Sequence, residues 1–355
     1  MAQKIRILHI MAGGAVGGAE NIFLENVLAL AECPELEQMV VTRPVDFRLA
    51  QLAKAGVPTL TASFNLWWPF GTRRAIKKAV AQHKPHIVQY WMGRAGQFAV
   101  QGAHVNVAWY GGYYNRLKRF ATCQHHIVMT RDLERHVVAS GANPQNVSVL
   151  HSFASFPKNI VPQNRAQLNT PADATVLLAL ARLHVKKGLD VLLEALVSLP
   201  NCYAWIAGDG PLRDVLHKQA EALGVASRVR WLGWRNDREC LLKAADICIF
   251  PSRYEPFGTV MVDAWAAHVP LVAAASQGPK AYVRHGQNGL LIPTNDVPAL
   301  VAAVLQLQTD KSLGATIVAG GAADYAAHFS PQAFKQNALN LYQHILSQHH
   351  ATLAA

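Results

Sequence analysis

The feature that most constrains the fold is a strand, a glycine-rich loop and a helix that follow one another at the start of the chain. A nearly continuous apolar run, Ile5 to Ile10, leads through four glycines between Gly13 and Gly18 into an amphipathic segment, Asn21 to Ala31. A strand covered on both faces has this apolar character, and glycines let the chain turn tightly into a helix. The order predicts the opening of a doubly wound parallel sheet, which binds ligands at the carboxyl ends of its strands.

The glycines of this first loop do not have the spacing of a dinucleotide-binding fingerprint. They cannot be fitted to Gly-x-Gly-x-x-Gly, and the next strand ends at Thr42-Arg43 without the acidic residue that binds the ribose of NAD. Both observations argue against a dehydrogenase. Two interpretations of the loop stay open, close packing of strand on helix or contact with a ligand, and the second would use Gly14, Gly17 and Gly18.

Length and composition predict two domains. The chain has 355 residues, of which 51% are hydrophobic and 15% charged, which suits two well-packed α/β domains. A polar stretch, residues 157–173, has the character of a linker. We therefore expect one domain over residues 1–160 and a second over residues 161–330, followed by a helical segment over residues 331–355.

The net charge of +11 calls for an anionic partner, and the positive charge is concentrated in the first half. Residues 1–160 contain 17 Lys and Arg against 8 Asp and Glu, whereas residues 161–355 contain 16 against 14. Such a positive field would attract nucleic acid, an acidic membrane surface or a phosphorylated glycolipid. No recognised nucleic-acid-binding motif accompanies the charge, so we expect no nucleic-acid partner.

A cluster of aromatic and basic residues in the first half is typical of an interfacial surface. Adjacent tryptophans, Trp67 and Trp68, precede like charges spaced four apart on a predicted helix, such as Arg73 with Lys77 and Arg74 with Lys78. Apolar rings at headgroup depth with cations on phosphates would give peripheral contact with an anionic membrane. A solvated basic helix beside core tryptophans is the alternative.

The cysteines and the N-terminus favour a cytoplasmic protein. The five cysteines form no Cys-x-x-Cys pair and are odd in number, which favours free thiols in a reducing compartment. The N-terminus has only a short apolar run before its glycines, and no run of about 18 apolar residues occurs. We expect a cytoplasmic location, with the inner face of the plasma membrane as the site of any membrane contact.

The second half repeats the order of strand, loop and helix, and its first loop carries cations. Arg182 and Lys187 lie five residues apart between a strand, Thr175 to Leu180, and the helix that follows. Both side chains can converge on one diphosphate at the start of that helix, where backbone N–H groups also favour an anion. The alternative is a pair of solvated surface charges. The next strand ends in two more glycines, Gly208 and Gly210.

A third loop of the second half combines a predicted phosphate seat with two acidic residues. The strand Ile247 to Phe250 runs through a turn that contains Glu255, and Asp263 follows eight positions later, about two turns into a helix. Each carboxylate could bind the hydroxyls of a polyol, or both could merely cap and solubilise the helix. The start of the helix would bind a phosphate through backbone amides, those of Gly258, Thr259 and Val260.

These segments together resemble the retaining, nucleotide-sugar-dependent glycosyltransferases of family four. The Gly-Gly loop, Arg182 with Lys187, Gly208-Asp209-Gly210-Pro211 and Glu255 with Asp263 occur in the family's order across about 250 residues. The family has the GT-B fold, two Rossmann-like doubly wound α/β domains that face a central cleft. The resemblance implies an N-terminal acceptor-binding domain, a C-terminal donor-binding domain and a last helix that crosses back onto the first domain.

The resemblance also implies roles for individual residues. Glu255 would bind hydroxyls of the donor sugar, Asp263 the nucleotide ribose in place of the family's glutamate, and Arg182 with Lys187 the leaving diphosphate. The glycine-rich loops and the amides near Gly258 would lie against the donor phosphates. A Gly-Gly-Tyr-Tyr run resembles the acceptor pattern of cell-envelope members, and it implies acceptor contacts by Tyr110, Tyr113 and Arg116. Tyr110 stands near a position where many members carry a histidine.

The function implied is transfer of a hexose-type sugar, with retention, from a nucleoside-diphosphate donor to an anionic cell-envelope glycan or glycolipid such as lipopolysaccharide core. We expect a UDP-sugar rather than a GDP-sugar, and no cofactor. The sequence has no Asp-x-Asp motif and no Cys/His cluster, so we expect no metal requirement. The alternatives are a nucleotide-sugar epimerase of the same fold, and a non-catalytic protein that binds a nucleotide sugar or an anionic membrane.

Overall fold

The computed structural model describes residues 4–15, 17–114, 117–157 and 159–353, with side chains as far as His349. The chain divides into two compact units, Met1–Ser152 together with Pro331–Ala355, and Phe153–Ser330. The division falls eight residues before the expected boundary at residue 160, so the polar stretch over residues 157–173 belongs to the second unit. Arg116, predicted to bind the acceptor, lies outside the described residues.

The first unit is built on a seven-stranded parallel sheet of order β3-β2-β1-β4-β5-β6-β7. Its central strands, β4 and β5, are buried at every position, as expected for strands covered by helices on both faces. The strands are β1 (Ile5–Met11), β2 (Leu36–Thr42), β3 (Thr59–Thr61), β4 (Ile87–Trp91), β5 (Val105–Tyr110), β6 (His125–Val128) and β7 (Val147–Val149).

The helices of the first unit follow the strands in alternation. They are α1 (Gly18–Ala31), α2 (Asp46–Lys54), α3 (Phe70–His83), α4 (Met92–Gly96) and α5 (Arg131–Ala139), joined by the C-terminal helix (Pro331–Leu353). The C-terminal helix buries Phe334, Ala338 and Ile345, and its Tyr342 hydroxyl donates to Gln89 Oε1 of β4 at 2.9 Å. No helix among the described residues combines the length and the apolar character that crossing a lipid bilayer requires.

The second unit is built on a six-stranded parallel sheet of order β10-β9-β8-β11-β12-β13. Its strands are β8 (Thr175–Leu180), β9 (Cys202–Ala207), β10 (Val229–Gly233), β11 (Ile247–Phe250), β12 (Leu271–Ala274) and β13 (Leu290–Ile292). Its helices are α6 (Leu189–Ala195), α7 (Arg213–Ala222), α8 (Arg238–Ala244), α9 (Thr259–Ala267), α10 (Gln277–Tyr282), α11 (Val297–Thr309) and α12 (Lys311–Asp324), and a π-helical turn (Tyr325–Phe329) follows.

The strand order of each sheet reverses once, and the reversal locates the expected ligand crevice. In the first unit the chain passes from β1 outward through β2 and β3, then returns to place β4 on the other side of β1. In the second unit β8 and β11 have the same relation. Ligands of doubly wound sheets bind at such switch points, beyond the carboxyl ends of the strands. The predicted fold class, two Rossmann-like doubly wound units, is confirmed.

Candidate active site

The switch point of the second unit is formed by the loops after β8 and β11, which are in close contact. Gly188, at the end of the first loop, has a φ of 64°, and a Cβ atom there would lie 2.2 Å from the Pro251 carbonyl oxygen. The backbone N–H of Arg253 donates to the Lys186 carbonyl at 2.9 Å. Only glycine fits the position before α6, because both the left-handed backbone and the close approach exclude a side chain.

Arg253 fastens the two loops together through its side chain. Its Nη1 atom donates to the Val185 carbonyl at 2.7 Å and to Asp190 Oδ1 at 2.8 Å, and Nη2 pairs with the other carboxylate oxygen of Asp190. The Asp190 carboxylate raises the pKa of Arg253. A bidentate arginine–carboxylate pair has a fixed geometry, so this pair holds the loop after β8 in register with the loop after β11.

The predicted catalytic residues come together in this region. Lys187 Nζ forms an ion pair with Glu255 Oε2, although the two residues are 68 positions apart in the sequence. Both side chains are partly exposed, at 26% for Lys187 and 17% for Glu255. Arg182 lies on the same loop as Lys187, is exposed, and forms no side-chain hydrogen bond or ion pair within the described part of the chain. Arg182 therefore has donors that no described residue uses, and they are available to an anion.

The N-terminus of α9 supplies the predicted phosphate seat. Gly258 is buried at its N-cap, Thr259 is exposed, and Val260 is partly exposed. The first amides of a helix have no partner inside the helix, and the helix dipole makes them favourable to an anion. The turn before them is fixed by Gly278, whose N–H donates to the Glu255 carbonyl at 2.8 Å. The helix start is thus held beside the Glu255 carboxylate.

Gly208 and Gly210 position the loop after β8. A Cβ atom on Gly208, whose φ is 148°, would lie 1.9 Å from the Ala181 carbonyl oxygen, and one on Gly210 would lie 2.5 Å from the Leu183 oxygen. The Leu183 N–H also donates to the Asp209 carbonyl at 3.0 Å. These glycines therefore allow the backbones after β8 and β9 to touch. The predicted contact of these glycines with a nucleotide stays a prediction.

Asp263 lies in a different environment from Glu255. It is 5% exposed, and Arg238 Nε of α8 donates to its Oδ1 atom at 3.1 Å. Burial raises the pKa of Asp263, and the charge and hydrogen bond of Arg238 oppose that rise. The side chain that was predicted to bind a ribose is paired inside the unit, and its burial argues against a direct ribose contact in this conformation.

Both backbone polar groups of Gly14, in the glycine loop of the first unit, have partners within that unit. The Gly14 N–H donates to Glu20 Oε1 of α1 at 3.1 Å, and the Gly14 carbonyl accepts from Arg48 Nη2 at 2.5 Å. A Cβ atom on Gly17 would lie 2.2 Å from Glu20 Oε2. Gly14 and Gly18 are exposed. The loop leaves backbone accessible, but one amide that a phosphate could use is taken by a carboxylate, so its predicted contact with the donor stays open.

Two residues predicted to bind the acceptor are held by neighbours in the first unit. Tyr110 is completely buried among the side chains around Phe120, and its hydroxyl lies 2.9 Å from His126 Nδ1. The Tyr113 hydroxyl donates to Asp132, whose pKa this hydrogen bond lowers. The burial of Tyr110 argues against its predicted acceptor contact, because a core side chain cannot reach a ligand without rearrangement. Tyr113 is partly exposed.

Sequence reasoning missed three arginines that build these sites, Arg48, Arg238 and Arg253. Arg253 stands two residues before Glu255, in the turn already identified as a phosphate seat, so its charge was a usable signal. Arg238 begins a predicted helix, and nothing in its sequence context indicates a partner 25 residues away. Arg48 is 2% exposed, although a lone arginine in a polar helix is typical of the surface.

The two doubly wound units define a GT-B fold, and the predicted catalytic residues lie at the switch point of its second unit. Residues 161–323 match the model of the family described as glycosyl transferases group 1. The lipopolysaccharide core biosynthesis glycosyltransferase LpsE of Rhizobium meliloti is 32% identical over 336 residues, covering 92% of this chain and 96% of LpsE. LpsD of the same organism is 29% identical, covering 95% and 98%.

The solved structures agree on the fold. Anabaena Alr3699/HepE, in complex with UDP, superposes with a TM-score of 0.81 at 22% identity, over 96% of this chain and 100% of HepE. A second HepE structure contains UDP-glucose and has a TM-score of 0.79 at 21% identity. The chain belongs to the glycosyl transferases group 1 family.

Proposed function

We propose that this glycosyltransferase moves a hexose-type sugar, with retention of configuration, from a UDP-sugar to an anionic cell-envelope glycan or glycolipid such as lipopolysaccharide core. The observation that carries the proposal is the cluster at the second unit's switch point. An exposed and unpaired Arg182, the Lys187–Glu255 pair and the N-terminus of α9 lie on adjacent strand ends. Such a cluster supplies fixed positive charge beside one carboxylate.

The difficult event in this reaction is departure of the nucleoside diphosphate. The bond from the anomeric carbon to the diphosphate oxygen breaks, and the acceptor oxygen bonds to the same face of that carbon. The acceptor's proton passes to the leaving phosphate oxygen, so no protein nucleophile is assigned. Preorganised cations and amides stabilise the charge that develops on the leaving group. Arg182, Lys187 and the amides of Gly258 and Thr259 have that role here.

Glu255 has a separate role from the cations. Its carboxylate is fixed on one side by Lys187, and its own backbone carbonyl is fixed by Gly278. A carboxylate oxygen accepts hydrogen bonds from sugar hydroxyls, so Glu255 orients the donor sugar at the reacting carbon. Asp263, paired with Arg238, positions α8 against α9 from inside the unit. A direct ribose contact by Asp263 would require this pair to open.

The choice of substrates is supported by the relatives. HepE was solved with UDP and with UDP-glucose, which favours UDP over GDP as the nucleotide of the donor. LpsE and LpsD are lipopolysaccharide core glycosyltransferases, which favours a cell-envelope glycan as the acceptor. The excess of basic residues in the first half favours an anionic acceptor. The proposal includes no cofactor and no metal, since the sequence has no Asp-x-Asp motif.

The test is calorimetric titration of UDP, GDP and ADP, and then of their sugar conjugates, with a chelator present. We expect UDP to bind, Arg182→Ala to weaken UDP at least tenfold, and Glu255→Ala to remove only the affinity that the sugar adds. Glu221→Ala, an exposed carboxylate on α7, is the matched control. If no diphosphate binds without metal, the site and its metal independence are both wrong.

Two alternatives are separated by one further measurement. An epimerase of the same fold would convert the bound nucleotide sugar without an added acceptor, and a non-catalytic binding protein would leave it unchanged. Incubation with UDP-sugar and a lipopolysaccharide-core acceptor, followed by mass spectrometry of the acceptor and by NMR of the UDP-sugar, whose epimers have equal mass, distinguishes all three. We expect the acceptor to gain one hexose mass and UDP to be released.

The first unit also presents a surface suited to an anionic membrane. Trp67 is 96% exposed, Trp68 69% and Phe70 66%, at the start of α3, which carries four basic residues, Arg73, Arg74, Lys77 and Lys78. Exposed aromatic rings beside cations are typical of interfacial segments. The proposed location is the cytoplasm, with peripheral contact at the inner face of the plasma membrane.

The membrane proposal is tested by sedimentation with vesicles that contain anionic lipid. We expect Trp67→Ser/Trp68→Ser to lower the vesicle partition coefficient at least a hundredfold, because each buried indole contributes about 2 kcal/mol or more. Trp234→Ser is the matched control, since Trp234 is 61% exposed in the second unit. Equal binding by the double variant and the control would remove this surface from the proposal.

A further inference from the structure

The first unit contains a cavity, and Gly14 is the one predicted site residue among the described residues that line it. Its volume is about 650 Å³, within the range of small-molecule sites. It opens at the carboxyl ends of the strands, because its walls come from the segments that follow β1, β2, β3 and β4. The lining residues are Gly14, Ala15, Arg43, Pro44, Val45, Ser63, Phe64, Asn65, Leu66, Trp67 and Arg94.

The charged groups that line this cavity are two arginines, Arg43 and Arg94, and no carboxylate is among its lining residues. Arg94 is exposed and forms no hydrogen bond or ion pair with the residues that the structure describes. Arg43 Nε is buried without a hydrogen-bond partner, and its Nη2 atom reaches the Phe64 carbonyl only at 3.5 Å. The buried Nε atom has no surface that a ligand could reach, but Arg43 as a residue is partly exposed and lines the cavity, so the rest of its guanidinium group can donate to a ligand oxygen.

The remaining walls suit a sugar that carries the anion. Ser63 and Asn65 are exposed polar side chains that can bind hydroxyls, and Asn65 Oδ1 accepts from the Trp67 N–H at 2.9 Å. Phe64 and Leu66 add an apolar wall. Small-molecule sites usually combine a few polar groups that fix the ligand's orientation with apolar and aromatic side chains.

Two of the segments around the cavity are held in unfavourable backbone conformations. Phe64, with a φ of 52°, and Met92, with a φ of 65°, are both in the left-handed region. Phe64 is nevertheless fixed, because its ring packs edge-on against Phe98 and its N–H donates to Thr72 Oγ1 at 3.0 Å. Strain that the surroundings maintain occurs most often at binding sites. These segments carry Asn65 and Arg94, which face the cavity.

We propose that this cavity is the subsite that recognises a phosphate monoester on the acceptor sugar, with Arg43 and Arg94 as its two phosphate ligands. Guanidinium groups bind phosphate in a bidentate manner that lysine cannot match. The inference rests on the proposed function, since it assigns the cavity to the acceptor of that reaction. It places acceptor recognition at the ends of β2 and β4, away from the buried Tyr110.

The experiment measures binding of glucose 6-phosphate, glucose and inorganic phosphate by calorimetry. It uses the full chain with Arg182→Ala and Lys187→Ala, so that these two cations of the second unit's switch point cannot contribute. In this background we expect Arg94→Gln and Arg43→Gln each to weaken the binding of glucose 6-phosphate about tenfold or more. That loss is typical of one charge-assisted hydrogen-bonded pair. Lys54→Gln, an exposed cation on α2 outside the cavity, is the control for charge.

Each result decides the inference. Weaker binding in Arg94→Gln and an intermediate affinity in Arg43→Lys would support it, and Arg94 is exposed, so its loss should not disturb folding. Equal affinities of Arg94→Gln and Lys54→Gln would overturn it, as would glucose or inorganic phosphate binding as tightly as glucose 6-phosphate. UDP binding to the unmodified chain is measured separately, so failure of the subsite leaves the donor site standing, and failure of UDP binding removes the proposed function itself.

Discussion

The two units have the same kind of sheet but bury opposite kinds of titratable group. The first unit buries four histidines, His9, His104, His125 and His126, and burial lowers the pKa of each. The second unit buries the carboxyl of Asp263, and burial raises its pKa. Desolvation favours the neutral form in both cases, but the neutral form is the deprotonated one for histidine and the protonated one for aspartate. The same physical effect therefore gives the two units opposite responses to acid.

The strand-to-helix loops of the two units also differ, in which of their polar groups have partners within the unit. In the first unit, Glu20 and Arg48 bind the N–H and the carbonyl of Gly14. In the second unit, Arg182 is left without a partner among the described residues, and α9 presents its first amides beside Glu255. The difference teaches that similar strand-to-helix loops can leave different numbers of polar groups for a ligand.

The largest expected effect is a difference in the stability of the two units at acid pH. The folded-state pKa values of His9 and His125 are lowered to about 3 and that of His126 to about 4, from 6.5. Between these values and 6.5 the unfolded state binds more protons, so stability falls as the pH falls through that window. Three such groups give a slope of about 4 kcal/mol per pH unit. We expect the first unit to lose amide protection from hydrogen exchange near pH 5, before the second.

The check is hydrogen exchange followed by mass spectrometry across a pH series, corrected for the intrinsic exchange rate. Unfolding in urea at pH 5.5 should take up about three protons more than carboxyl groups with ordinary pKa values would bind. That uptake would agree with protonation of the three buried histidines on unfolding. Simultaneous loss of protection in both units, with less than one extra proton, would show that the buried histidines do not set acid stability.

Removal of the unpaired cation should have the next largest effect, on the reaction rather than on stability. We expect Arg182→Ala to lower kcat for sugar transfer by 10²- to 10³-fold, the range for loss of one preorganised donor to a developing charge. The free energy of unfolding should change by less than about 0.5 kcal/mol, since Arg182 is exposed. Arg213→Ala, an exposed arginine on α7, should retain full activity. A kcat within fivefold of the parent would remove Arg182 from the leaving-group site.

Breaking the buried pair of the second unit should cost stability in a manner that depends on pH. Arg238→Ala leaves Asp263 buried without its cation, which we expect to destabilise the protein by about 3 kcal/mol at pH 7. Loss of the arginine raises the folded-state pKa of Asp263 further, and the folded state then gains stability by binding a proton as the pH falls. The destabilisation should therefore shrink towards pH 5, as measured by urea unfolding.

The double variant Arg238→Ala/Asp263→Asn provides the control for this prediction. It has no buried carboxyl at position 263, so its difference from the parent protein should depend far less on pH between 5 and 7. If Arg238→Ala costs the same at pH 5 and pH 7, loss of packing rather than an unpaired charge is the cause, since Arg238 also lies over the Phe156 ring.

The smallest effect should come from the carboxylate of the first unit's loop. Glu20→Gln keeps the side-chain oxygen that accepts from the Gly14 N–H, so we expect kcat to change less than threefold and stability by less than about 1 kcal/mol. Glu20→Ala frees the amide, and tighter binding of UDP by this variant would show that Glu20 competes with a phosphate. A hundredfold loss of kcat in Glu20→Gln would instead place this carboxylate in the reaction.

Much of the fold was accessible from the sequence. The strands Thr175–Leu180 and Ile247–Phe250 have the predicted bounds, the strand predicted from Ile5 extends one residue further, and the helix predicted from Asn21 begins three residues earlier. Strands covered on both faces give apolar runs, and the loops between them need glycine or proline, so local composition is sufficient. The helix Lys311–Asp324 was not predicted, because its many small residues give no clear apolar stripe.

The site was accessible only in part. The family resemblance implied that Lys187 and Glu255 both belong to the donor site, but the ion pair between them was not predicted. The pairs Arg253–Asp190 and Arg238–Asp263 join residues 63 and 25 positions apart, and no local pattern connects them. The cavity lined by Arg43 and Arg94 likewise depends on four separate strand ends coming together.

Tyr110 shows where the limit lies. It lies at the end of β5, where ligands of such sheets bind, yet its side chain is buried beside His126. Successive side chains in a strand point to opposite faces of the sheet. A strand covered on both faces has no alternation of polar and apolar residues, so its sequence does not show to which face a given side chain points. The sequence by itself determined the order of strands, loops and helices, because each depends on neighbouring residues. The direction of each side chain and its partner were decided by tertiary packing, which depends on residues far apart in the chain.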